Sequence, residues 1–269
     1  MTASGSSSIT THRECRATDI SRAHESDRRA ARDSLGVVGT PQPPPQFERE
    51  IGTVKLTDQL YLLDGAGGNV AVLVWDDGVL LVDDKIAPVT AGLKAAVAAI
   101  TPKPIRFVVN THWHPNHRGG NAALAADDAV VVAHENVRKH MSVDTFVEVF
   151  ARNLPASPPQ VTFTRDVTLH LGGEEISIVH VDAAHTDGDS FVRFRTANAL
   201  HMRDCFLNGS YPVIDYSTGG TYAGTIAAAA DTALGMVDSG TRVIPGHGPW
   251  RTSVSCARGA TCRQRSSRT

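Results

Sequence analysis

Asn110-Thr111-His112-Trp113-His114-Pro115-Asn116-His117 is the stretch on which the reading of this chain turns. Three imidazoles fall within His112 to His117, just after Ile105 to Val109, a run that is apolar except for Arg106. A buried strand that opens into a loop displays its side chains at one edge of a sheet, where functional groups tend to be carried. Neutral imidazole is a common zinc ligand. Three of them at this spacing can converge on one cation, an arrangement that chance seldom supplies.

Two histidines further along extend the pattern. His185 opens His185-Thr186-Asp187-Gly188-Asp189, after the strand-like run Ile176 to Val181. His247 lies in Pro245-Gly246-His247-Gly248-Pro249, after the run ending at Ile244. Each is a weak signal alone, and together with the cluster they point to a metal.

In this order the segments resemble the metallo-β-lactamase superfamily. His112, His114, Asn116 and His117 are similar to its HxHxDH motif. Val79-Leu80-Leu81-Val82-Asp83 is similar to its early aspartate motif, and Ala184-His185-Thr186, Arg203-Asp204 and Pro245-Gly246-His247-Gly248 follow. The resemblance runs from about Val54 to Pro249. It implies an α/β fold, a four-layer αββα sandwich with metals at one edge between the sheets. It implies that His112, His114 and His185 bind a first zinc ion. The positions matching the second site are Asn116, His117 and His247, Asp204 matches the residue that bridges both metals, and Asp83 matches a position that orients the loop from outside the ligand set.

The sequence departs from the family at three places. Asn116 stands where relatives carry aspartate, and an amide offers a neutral carbonyl instead of a charge and cannot take up a proton. Weaker occupancy of the second site and slower turnover are expected, with Asp204, His117 and His247 left to hold a metal there. Arg203 stands where relatives carry glycine, and a positive φ would strain it; strain or a surface position is the expectation, ahead of a substrate-binding role. After Pro249 the amphipathic helix that relatives usually have is missing.

Working outward, strands are expected at Gln59 to Leu63, Asn69 to Trp75 and Val79 to Val82, with turns at Gly65 to Gly68 and at Asp76-Asp77-Gly78. Ala87 to Ile100 reads as a helix, with Pro88 in its first turn and Leu93, Val97 and Ile100 at helical spacing. Further helices are expected at Asn121 to Ala126, Asn136 to Met141 and Tyr222 to Val237. Further strands are expected at Val130 to Ala133, Val167 to Leu171, Ile176 to Val181, Phe191 to Phe194, Ala199 to Met202 and Arg242 to Ile244. Two mixed halves fit a layered arrangement with sheets inside and helices outside. Residues 1–46 are rich in Ser, Thr, Arg and Ala and end in Pro41, Pro43, Pro44 and Pro45; they are expected to be disordered, as is the tail 250–269. The folded domain is placed at 50–249.

Among lesser candidates, Asp187 and Asp189 either bond ligand histidines or form a polar turn. His134 and Glu135 read as a strand-to-helix junction. Cys205 reads as a small buried residue, and Tyr211-Pro212 is expected to shape the pocket wall. The 269 residues carry a formal net charge of -2, which argues against nucleic acid or a membrane surface as partner. No run approaches the roughly 20 apolar residues of a membrane span, no secretory leader pattern is evident, and the four cysteines match no paired spacing. The chain therefore reads as cytoplasmic.

The resemblance implies a hydrolase using one or two Zn2+. A metal-bound hydroxide would attack the carbonyl of a small-molecule lactam, lactone, ester or thioester, with Asp204 and Asn116 as the catalytic positions. The alternative is a degenerate member of the same fold with a weakened or absent second site and little catalysis.

Overall fold

The computed structural model describes residues 50–142 and 157–253. Residues 1–49, 143–156 and 254–269 lie outside that range, and with them the expectations for the N-terminal segment and for most of the tail.

Two sheets carry the fold. The first orders its seven strands as β1 (Thr53–Lys55), β2 (Leu60–Leu63), β3 (Val70–Trp75), β4 (Gly78–Val82), β5 (Ile105–Asn110), β6 (Val130–His134) and β7 (Val161–Phe163). Strands β1 to β4 pair antiparallel, and β4 to β7 pair parallel. The second runs β13 (Arg251–Thr252), β12 (Arg242–His247), β11 (Ala199–Leu207), β10 (Ser190–Phe194), β9 (Glu174–His180) and β8 (Asp166–Leu171). Only its β11–β12 pair is parallel.

The strands of the first sheet read as continuous apolar runs because both faces are covered. Alternation sorts them: Ala71, Leu73, Leu80, Val82 and Val109 face inward, onto Ile176, Ile178, Val192, Phe194 and Ile244 of the second sheet. Val70, Val72, Val79, Leu81 and Val108 face outward, onto Leu93 and Val97 of helix α1 (Thr90–Ile100). On the far side, Phe191, Leu200, Met202 and Val243 pack on Ala228 and Ala233. These layers are helix, sheet, sheet and helix, as expected.

Helix α1 is preceded by a 3-10 turn, Ala87–Val89, where Pro88 fits because the first turn needs no N–H partner. Two short helices follow β5: α2 (Pro115–Arg118), inside the histidine motif itself, and α3 (Asn121–Ala125). Helix α4 (Glu135–Ser142) follows β6, and His134 accepts a bond from the Asn136 N–H at its start. The expected helix from Tyr222 is divided. Helix α5 (Tyr222–Ala227) passes into a π-helical stretch, Ala228–Ala233, and then α6 (Leu234–Met236). The chain past Pro249 also differs from expectation at its start. Arg251–Thr252 pairs with β12, and the Trp250 side chain packs on the core between the sheets. One large apolar side chain and a free sheet edge suffice there, and composition over the whole tail obscures both.

Candidate metal centre

The ends of both sheets contribute to one place. His112, His114 and His117 come from the loop and helix α2 after β5. His185 comes from the β9–β10 connection, Asp204 from within β11, and His247 ends β12. Two glycines allow the close approach: a Cβ on Gly68 would collide with the His117 ring, and one on Gly246 would overlap the Asp204 carboxylate. All six candidate ligands named from the sequence therefore meet.

His112, His114 and His185 form one group whose ligand atoms lie within 4.8 Å of one another. Their outer partners fix which nitrogen faces inward. His112 Nδ1 is 3.1 Å from the Thr111 hydroxyl, and its buried Nε2 has no hydrogen-bond partner. His185 Nδ1 donates to the Val213 carbonyl. His114 Nε2 is 3.0 Å from Asp215 Oδ2. This leaves His185 Nε2 and His114 Nδ1 facing each other at 2.9 Å. With each ring carrying its proton on the outward nitrogen, the two inward lone pairs would both be available to a cation between them. Burial holds His112 well below the ordinary histidine pKa, helped by the neighbouring imidazoles, and burial lowers His185 too. Neutral imidazoles are the form a metal needs. The donor set fits a divalent cation of borderline softness such as zinc.

A second group comprises His112, His117 and Asp204. His117 Nδ1 is 2.7 Å from Asp83 Oδ2, and Asp83 also accepts from the Thr111 N–H and hydroxyl at 2.8 Å each. Asp83 thus sits behind His117 and the loop that carries the candidate ligands. His117 Nε2 and Asp204 Oδ1 are 3.2 Å apart, both buried and neither in an aligned hydrogen bond. Burial alone would lower the His117 pKa, but the Asp204 and Asp83 carboxylates outweigh it and raise it to about 10. Burial would raise Asp204, but His117 holds it well below the usual carboxylate range. His247 Nε2 stands 3.7 Å from Asp204 Oδ1. Asn116 Nδ2 lies 3.1 Å from the same His247 nitrogen, so the amide engages the atom that His247 would offer a second metal.

The raised His117 pKa gives a pH dependence. A group whose folded pKa lies above its unfolded value, here about 10 against about 6.5, stabilises fully below the unfolded value. That contribution disappears as pH rises through the folded value. In chelator-treated protein, the stability gap between wild type and His117→Gln is expected to narrow from pH 6.5 to 10, as read by urea denaturation at each pH. A constant gap would show that the two carboxylates do not act on His117 in this way.

Arg203 is no surface residue. It is fully buried at φ 44°, and its guanidinium pairs with Asp189, with Nη2 3.0 Å from Cys205 Sγ. Asp189 bonds no ligand histidine; it accepts from the Thr186 N–H at 2.8 Å and from the Thr186 hydroxyl. Asp187 bonds His140 at 2.8 Å. Cys205 is buried, as expected.

Sequence reasoning missed Asp215. Its one available signal was isolation, since it is the sole charged residue between Asp204 and Asp231. Its carboxylate fixes the orientation of the His114 ring, so Asp215→Asn is expected to weaken metal affinity by about 10- to 100-fold. Competition with a fluorescent chelator measures this, and unchanged affinity would rule the role out.

Residues 63–247 match the family model described as the metallo-beta-lactamase superfamily. The chain belongs to the metallo-beta-lactamase superfamily. Among solved members of this fold, a metallo-beta-lactamase from Pontibacter korlensis is similar with a TM-score of 0.67 at 17% identity, covering 80% of this chain and 99% of that one. The FIM-1 metallo-beta-lactamase of Pseudomonas aeruginosa, in its mono-zinc form, gives a TM-score of 0.59 at 19% identity, covering 81% and 97%. The alpha subunit of 2,4-dinitroanisole O-demethylase from Nocardioides sp. (strain JS1661) is 24% identical over 183 residues, 65% of this chain. The chain spans about half the length of that relative, 52%. No helix among the described residues is long and apolar enough to cross a membrane.

Proposed function

We propose that this chain is a metal-dependent hydrolase of small molecules, with zinc held by His112, His114 and His185. The observation that carries the reading is the convergence of three imidazole nitrogens, two of them 2.9 Å apart with their opposite ring nitrogens bonded to outer partners. A bound zinc ion supplies Lewis acidity, lowering the pKa of a bound water to about 7 and polarising a carbonyl oxygen. The protein's own groups do the rest. Asp215 and the Val213 carbonyl aim His114 and His185. Asp204, whose Oδ2 is 3.7 Å from His185 Nε2, is held so strongly anionic that it orients a water as hydrogen-bond acceptor more readily than it takes a proton. The bonds within reach of this chemistry are those of lactams, lactones, esters and thioesters. The Nocardioides relative is named for acting on an aromatic ether, so aryl ethers belong in the same assay panel.

Mass-spectrometric metal analysis with chromogenic substrates tests this. The expected result is at least one zinc per chain and hydrolysis that a chelator stops and zinc restores. A chain that emerges metal-free from dialysis against micromolar zinc would sink the proposal. The Asn116–His247 contact favours a second reading, a member keeping the fold and one zinc with little catalysis. Asn116→Asp separates the two. A second zinc equivalent and faster turnover would show the remaining site is sound, whereas an inert variant supports the second reading.

A further inference from the structure

Resting on the hydrolase reading, we propose that the substrate presents an uncharged aromatic group, not a carboxylate, to the loop from Asn208 to Tyr222. The exposed apolar surface is concentrated in this loop, which holds four such side chains, and in the helix that follows it. Seven large hydrophobic side chains are exposed among the described residues, and six of them lie between Tyr211 and Leu234. Tyr211, Val213 and Tyr216 are 80%, 68% and 65% exposed, and the Tyr216 ring meets Tyr222 edge-on at 6.3 Å. Exposed apolar side chains grouped on a folded protein are a feature of binding surfaces.

What places it at the metal centre is the backbone of the same loop. The Val213 carbonyl holds His185, the Asp215 carboxylate holds His114, and the Asp215 N–H donates to the His185 carbonyl at 2.9 Å. Bonds from Gly220 N–H to Asp215 and from Asp187 N–H to Thr218 brace it. A loop fixed in this way binds without paying much ordering entropy.

The charge pattern of the loop itself disfavours an anionic group at this wall. Asp215 is the loop's sole charged residue, and its carboxylate is engaged by His114 and Ser217. Across the site, Gly65 to Asn69 carries no charge, while Lys85, Arg118 and Arg203 near the ligands are all buried. Among the described residues of this loop and of Gly65 to Asn69 a carboxylate would lose water and gain no cation, whereas an aromatic ring would cover tyrosine and valine.

The zinc-loaded chain is tested with 4-nitrophenyl esters of phenylacetic, acetic and succinic acids. The phenylacetyl ester is expected to exceed the succinyl ester by roughly tenfold or more in kcat/KM. Tyr211→Ser with Tyr216→Ser is expected to remove roughly tenfold of the phenylacetyl value through KM, with zinc content unchanged, so that the preference over the succinyl ester disappears. A second measurement does not need catalysis. Phenylmethanethiol and mercaptoacetate are titrated into cobalt-loaded chain, and the thiolate-to-metal absorption band is followed. The phenyl thiol is expected to bind roughly tenfold tighter, and the double variant to lose the difference. That preference without any ester hydrolysis would overturn the hydrolase reading and leave this inference standing. Equal binding, or preference for the carboxylate, overturns the inference itself.

Discussion

Arg203→Met is expected to destabilise the protein by about 3–5 kcal/mol, the usual loss when one partner of a buried ion pair is removed. The side chain is fully buried and Asp189 with it, so deleting the guanidinium leaves a carboxylate with the Thr186 N–H and hydroxyl and the weak Cys205 thiol as donors, and no cation. Methionine keeps most of the volume and the same positive φ, so the change isolates charge from packing and backbone strain. At about 2–4 °C per kcal/mol for a domain of this size, a fall in Tm on the order of 10 °C should be seen by calorimetry. Asp189→Asn in the same chain should restore part of the loss, because the uncompensated charge is then gone. Losses that simply add would show that the pair is not coupled. The damage should also reach the metal, since Thr186 adjoins His185 and Arg203 adjoins Asp204.

His185→Ala is expected to lower zinc affinity by more than about 100-fold, beyond the range seen when only a supporting partner is lost. It removes one of three imidazole donors and leaves His114 Nδ1 facing empty space. The backbone bonds of this segment persist, so far-ultraviolet circular dichroism should hardly change while zinc per chain falls towards zero. His201→Ala is the instructive contrast. His201 is equally buried, and burial lowers its pKa to about 4, but its nitrogens bond the Arg203 N–H and the Asn69 carbonyl. That variant should lose stability and keep its zinc content. If both variants lost zinc alike, position in the fold and not ligation would be the cause.

These contrasts show what the sequence reveals and what it hides. Histidines at strand ends are legible because the periodicity of β5, β9 and β12 fixes where each strand stops. The alternation in β3 and β4 likewise exposes two buried faces. Strands β1 and β7 escape because they hold three residues each, too few for a period to register. The burial of Arg203 is not legible because arginine is rarely interior, and the compensating carboxylate, Asp189, lies fourteen positions earlier. Asp215 sits in a loop without periodicity, so its pairing with His114, 101 positions away, leaves no trace in local pattern. The break of the Tyr222 helix into a π-helical stretch is hidden for a different reason. The run Ala227 to Ala230 is four alanines, which suit any tight helical turn and mark none.

The candidate ligands are divided between the two halves of the chain, with His112, His114 and His117 on the first sheet's side and His185, Asp204 and His247 on the second's. An ion seated among them would act as a rivet through both layers at one rim, independent of the oily contacts between them. Neither half expressed alone could capture it, and stripping it should loosen that rim first, with amide exchange quickening at the tips of β5 and β11 before the sandwich itself opens.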